Sequence, residues 1–192
     1  MLTLSTRNQV AIGAALVLLL IVTRGHHLST LHNLPGASWA VFLLAGIYLR
    51  PAWVLPGLLA LTWGLDFVAF QWGGVSDFCF SPAYLLLLPA YAALWLAGCW
   101  YAQRYRFEWS TLMPLTLATV VGAAICELFS SGGFYLFSGR FAELSWAEFT
   151  VRELTYFPPY LQSLAFYVGV AAIVHSAFTV VHKATNQQKA AL

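Results

Sequence analysis

The chain has 192 residues, 60% of them hydrophobic and only 8% charged, with a net charge of +2 and a mean hydropathy of +0.75. Soluble domains carry about 25% charged residues, so this composition excludes a soluble enzyme or binding module and points to a polytopic membrane protein. The nine Lys and Arg residues stand mostly at the ends of apolar runs, where membrane topology alone puts them. That pattern argues against a nucleic-acid surface, and no Gly-rich phosphate loop marks a nucleotide site.

Arg7 followed by the apolar run Val10 to Val22 imitates a signal peptide. No small-residue cleavage site follows and further spans come after it, so the segment is expected to be a first transmembrane helix. A span needs about 20 apolar residues, somewhat fewer in a tight bundle. Six are expected, over residues 8–23, 37–49, 52–72, 82–101, 112–129 and 160–181, making residues 1–192 a single all-α integral membrane domain. The second is short, and Pro51 ends it by removing an amide donor and disfavouring helix at Arg50. Pro56, Pro89 and Pro114 lie inside or near the starts of spans, where kinks are expected. After the fifth span, Ser145-Trp146-Ala147-Glu148 matches a capping box, predicting a short helix up to Tyr156 that Pro158-Pro159 breaks. Ala11 and Ala15 on the first helix have a spacing that suits either internal helix packing or docking of a partner subunit.

With the N-terminus inside, the inner side holds Arg7, Arg50, Arg104, Arg106, Lys183 and Lys189, and the outer side Arg24, Arg140 and Arg152. This bias puts both termini in the cytoplasm. It gathers His26, His27, His32, Asp77, Cys79, Arg140 and Arg152 on the outer face, with Tyr84 just inside the fourth helix. Asp66 lies about a turn and a half below the end of the third.

An ionisable residue inside a span costs several kcal/mol unless paired or wetted, so Asp66 and Glu127 are candidates for function. Asp66 suits hydrogen bonds from an amide-rich ligand, an ion pair with Arg152, or a structural helix-end bond. Glu127 suits function or a bond to nearby backbone. Cys99 and Cys126 fall within apolar runs and read as small packing residues. His175 and His182, toward the other end of the last helix, read as interface residues.

Cys79 differs, because it lies in a short segment between spans, two residues after Asp77 and between Phe78 and Phe80. A thiolate binds soft or borderline metals, and the nearby Asp77 disfavours it unless a metal takes the proton's place. One protein ligand does not build a free-ion site. It suits a metal already held in a macrocycle with an open axial position, for which Phe78, Phe80 and Tyr84 supply an apolar wall. The other sources of ligands are His26 with His27, and His32. Adjacent histidines diverge, so a joint site from the pair is disfavoured.

Six short helices, a small-residue first helix, no ATPase motif and the string Arg24-Gly25-His26-His27 form one part of a wider pattern. With Asp66, Asp77-Phe78-Cys79-Phe80-Ser81-Pro82-Ala83-Tyr84 and Arg152-Glu153, the chain resembles the BtuM-type cobalamin transporters. Those bacterial inner-membrane proteins are similar to the substrate-binding S-components of energy-coupling factor transporters. The resemblance covers nearly the whole chain, and the Cys79 segment is its most specific part. It implies uptake of cobalamin or cobinamide across the inner membrane, from a site facing the periplasm, with Cys79 as cobalt ligand. It also implies pocket roles for His27, Asp66, Tyr84 and Arg152, and docking of an energy-coupling subunit with its ATPases at Ala11 and Ala15. A thiolate on cobalt would labilise the opposite ligand and release cyanide from cyanocobalamin. The rival readings are a membrane haem or thiol redox protein, for which the histidines do not supply facing ligands, and an envelope scaffold protein.

Overall fold

The computed structural model describes residues 4–24, 34–72 and 81–190, and among them there is no β-strand. The helices are α1 (Thr6–Arg24), α2 (Ser38–Tyr48), α3 (Val54–Trp72), α4 (Leu87–Arg104), α5 (Leu112–Glu127), α6 (Gly133–Phe137) and α7 (Trp146–Ala190). Short 3-10 turns, Pro82–Leu86 and Trp109–Thr111, lead into α4 and α5, and a π-turn, Leu128–Gly132, joins α5 to α6. The chain is an all-α polytopic membrane protein. Five helical stretches are long and apolar enough to cross a bilayer: 6–24, 54–72, 82–104, 109–137 and 146–185.

The exposed surface agrees with that class. Leu18, Phe67, Leu96, Leu117, Ile173 and Phe178 all stand outward, an apolar coat that water would not tolerate. Trp53 and Trp109 at one end of the bundle and Trp72 and Trp146 at the other are also exposed, as in the aromatic belts of membrane interfaces.

The second expected span, 37–49, is realised as α2, whose 11 residues rise about 16 Å, roughly half the hydrocarbon thickness. Nine of them, Trp39 to Ile47, are buried, so α2 is the central strut of the bundle and not a lipid-facing span. Its limits are chemical. Leu49 is already extended, with φ −107° and ψ 124°, and Pro51 prevents Arg50 from continuing the helix.

Around this strut, α2 packs on α1, α4 and α7. The closest approach is to α4, where Gly46 faces the Trp95 carbonyl and Gly98 faces the Leu43 carbonyl. A methyl group at either position would collide with backbone, so glycine here is what lets the two helices touch. Phe42 and Tyr91 stack across the same interface with ring centroids 4.3 Å apart. Farther along α4, Ala97 and Leu94 receive Gly122 of α5.

Pro56, Pro89 and Pro114 each occupy the third residue of an α-helix, near the start as expected, where proline is best tolerated. The later prolines act differently from expectation. Pro158 and Pro159 do not break the chain. The capping-box helix begins as expected, with Glu148 N donating to Ser145 Oγ at 3.1 Å, but it runs unbroken to Ala190. Proline's fixed φ is itself helical, and the lost bonds concern only the Leu154 and Thr155 carbonyls. Both residues belong to an exposed stretch of α7.

On α1 the buried residues are Leu16, Leu20 and Thr23, so Ala11 and Ala15 are exposed and take no part in the core. Cys126 is fully buried and Cys99 partly so, in keeping with packing roles.

The glycine contacts make a direct test. Gly98→Ala drives a methyl into the α2 backbone and lowers stability by about 2 kcal/mol or more. Gly64→Ala in α3, where the added methyl meets nothing within 4 Å, is neutral or stabilises by up to about 1 kcal/mol. Unfolding of both variants in detergent measures the contrast.

Candidate binding site at the Arg24–Asp66 end

α1 is apolar from Val10 to Val22 and ends on Arg24, a cation at the helix C-terminus where the macrodipole favours it. Its guanidinium reaches Asp66, the only acid of α3, in a two-pronged pair. Nε donates to Oδ1 at 2.7 Å and Nη2 donates to Oδ2 at 2.7 Å. The remaining nitrogen, Nη1, donates to Ser38 Oγ at 2.8 Å and to Tyr91 Oη at 2.9 Å. Tyr84, in the turn before α4, donates its hydroxyl to Asp66 Oδ2 in a short hydrogen bond. The side chains of Arg24 and Asp66 are only 15% and 23% exposed, so the pair is largely withdrawn from water, and its bidentate geometry offsets the cost of that burial.

One polar knot thus joins α1, α2, α3, α4 and the turn at Pro82. Thr23 extends it, accepting from Ala37 N at 3.2 Å and donating to Leu19 O at 2.8 Å. Tyr91 is backed by its stack on Phe42, and the Trp63 ring lies 6.1 Å from that of Tyr84. Around the knot, the buried Trp63 Nε1 and Ser81 Oγ have no hydrogen-bond partner among the described residues. Buried groups of this kind nearly always find one, so they are directions in which a polar ligand could bind.

The sequence pairs Asp66 with Arg152 as one of its options, and the structure gives Arg24 as the partner instead. Arg152, on α7, lies over the Phe141 ring at 4.6 Å, with Tyr156 at 5.5 Å and Tyr135 at 5.9 Å. These are cation–π distances. Tyr135 is held in turn by Ser145, whose N–H donates to its hydroxyl at 2.8 Å. Arg152 Nε has no hydrogen-bond partner among the described residues.

Glu127, fully buried at the end of α5, is set among the Ser130 and Ser131 hydroxyls of the π-turn and the Glu153 carboxylate of α7. Its neighbours are therefore side chains as well as backbone. Of the expected site residues, the structure brings Asp66 and Tyr84 into contact and sets Arg152 in a separate aromatic cage. His27, Asp77, Phe78, Cys79 and Phe80, with His26 and His32, lie outside the described residues. Among the described residues no group of three or more His, Cys, Asp or Glu side chains could hold a metal ion.

Arg24, Ser38 and Tyr91 are the site residues that sequence reasoning leaves out, Arg24 having counted only as an outer charge and as part of a motif string. The available signal was a lone cation closing an apolar helix and a lone acid within another, both placed at the same end. No protein-family model matches the chain, and no curated protein matches it either.

The knot predicts strong energetic coupling. Arg24→Leu or Asp66→Leu alone leaves a largely buried charge unpaired and costs about 3 kcal/mol. The double variant costs less than the sum, by about 2 kcal/mol. A double-mutant cycle on unfolding in detergent measures that difference.

Proposed function

We propose that the chain binds cobalamin or cobinamide at the Arg24–Asp66 end and serves its uptake across a bacterial inner membrane, in the manner of the BtuM-type transporters it resembles. The observation that carries this reading is the meeting of Asp66 with Tyr84, two residues on successive helical stretches that the resemblance assigns to one corrinoid pocket. Support also comes from Trp63 Nε1 and Ser81 Oγ, buried polar groups without partners among the described residues, which suit the peripheral amides of a corrin. Tyr84 opens the fourth span directly after the segment that carries Cys79, so a ligand bound on cobalt by that thiolate would lie within reach of the knot.

The chemistry is ligand exchange at cobalt. The Cys79 thiolate forms a sulfur–cobalt bond on one axial face, and the bond to dimethylbenzimidazole on that face breaks. Electron donation from sulfur weakens the opposite cobalt–carbon bond of cyanocobalamin. Cyanide leaves with its electron pair, water takes the vacated position, and cobalt stays trivalent throughout. Cobinamide, which lacks the base, binds by the same face. Arg24 and Asp66 take no part in the exchange; they hold Tyr84 and the ends of four helices in register.

In this reading the Arg24–Asp66 end faces the periplasm and both termini the cytoplasm, the orientation favoured by Arg7, Arg50, Arg104, Arg106, Lys183 and Lys189. Ala11 and Ala15, exposed on α1, are the docking surface for a coupling subunit with its ATPases.

Visible absorbance of purified protein mixed with cyanocobalamin tests the proposal. The wild type is expected to shift the corrin bands and release cyanide. Cys79→Ala is expected to leave both the spectrum and the cyanide unchanged, and Tyr84→Phe to keep the shift with affinity lowered by about three- to tenfold. Identical spectra and cyanide release from wild type and Cys79→Ala would remove the ligand role.

A further inference from the structure

At the end of the bundle opposite Arg24 and Asp66, a cavity of about 330 Å³ opens between α2, the connection from α4 to α5, α5 itself and α7. Its volume is at the lower end of the range of about 300–1,000 Å³ in which small organic ligands bind. The lining is arranged in tiers. The floor is apolar, made by Leu44 of α2, Leu115 of α5 and Val168 and Ala172 of α7.

Above the floor stand Tyr48, Tyr101, Tyr105 and His175. Tyr105 Oη and His175 Nε2 are hydrogen-bonded at 2.8 Å, and the Tyr48 ring lies 5.7 Å from that of His175. The mouth carries one exposed side chain of each sign, Arg106 and Glu108. Glu108 accepts a bond from Ser110 Oγ at 3.2 Å. Lys183 stands beside this mouth, its Nζ 4.4 Å above the Phe107 ring.

Such an order selects an amphiphile. A wholly polar ligand would leave the floor unfilled, and a wholly apolar one would cover the Tyr105–His175 pair and leave the charges at the mouth unused. An acyl segment on the floor brings a glycerol backbone to the hydroxyl tier and a headgroup to the mouth. There a phosphate finds the Arg106 guanidinium, reinforced by Lys183, and an amine finds the Glu108 carboxylate. A primary ammonium donates hydrogen bonds to that carboxylate, and a trimethylammonium has no proton to donate.

We infer that this cavity is a binding site for an aminophospholipid of the phosphatidylethanolamine class. Its acyl chain packs on Leu44, Leu115 and Val168, its phosphate is bound beside Arg106, and its ammonium is bound at Glu108. The site is remote from the Arg24–Asp66 knot and requires no corrinoid.

The test is reconstitution of delipidated protein into nanodiscs of equal parts phosphatidylethanolamine, phosphatidylcholine and phosphatidylglycerol, followed by native mass spectrometry of the lipid that stays bound. Wild type is expected to retain phosphatidylethanolamine in preference to both others. Glu108→Gln, an exposed change outside the packed core, lowers the preference over phosphatidylcholine by about tenfold, the factor carried by one charge-assisted hydrogen bond. Ala172→Trp fills the floor and abolishes retention. Equal retention of the three lipids by wild type, a preference for phosphatidylglycerol, or unchanged selectivity in Glu108→Gln would overturn the assignment, whether or not Ala172→Trp folds.

Discussion

The ion pair between Arg24 and Asp66 is the constraint on which the rest of this end of the molecule depends. Neither charge is tolerable alone among apolar helices, so α1 and α3 must present them to each other at one depth. Once they meet, the third guanidinium nitrogen recruits Ser38 and Tyr91, and the second carboxylate oxygen recruits Tyr84. The register of α1, α2, α3 and α4 and of the turn at Pro82 is thereby set by one pair of side chains. A ligand here would meet a surface whose charges are already satisfied, with the Ser81 hydroxyl and the Trp63 indole left without partners among the described residues. Specificity at such a site comes from the positions of neutral donors and from whatever bond the ligand's own chemistry supplies.

Behind the knot, α2 supplies rigidity. Its burial and its contact with α4 through Gly46 and Gly98 bring backbone against backbone, and the Phe42–Tyr91 stack carries that packing up to the polar network. Polar order at one end is thus mechanically continuous with the centre of the bundle. The two ends have different chemistry. One has its charges paired and buried, and the other has an aromatic cavity with charges of both signs at its mouth.

Much of the fold is legible in the sequence because lipid exposure imposes long apolar runs. The stretches expected at 8–23, 52–72 and 82–101 correspond to α1, to α3 and to the 3-10 turn with α4, within a few residues. The role of α2 is not legible, since a helix apolar on every side reads alike whether it faces lipid or a protein core. The continuation of α7 through Pro158 and Pro159 was hidden for a related reason. Proline's fixed φ is compatible with a helix, and whether its missing donor ends one is decided by the surroundings of the freed carbonyls, which the local sequence does not reveal.

Asp66 could be recognised as exceptional from its place in a span, but three arginines are expected on its side of the bilayer, and only the packing of α1 against α3 selects Arg24. Tyr84 was legible through the motif that contains it, whereas Ser38 and Tyr91 belong to no motif and enter the site through tertiary contact alone. The central claim is that a cysteine sulfur of this chain binds the cobalt of a corrinoid. Cobalt-edge X-ray absorption of the cobalamin-loaded protein tests it most directly. The account predicts one sulfur in the cobalt coordination shell of the wild type and none in Cys79→Ser; a shell of only nitrogen, oxygen and carbon in the wild type would contradict it.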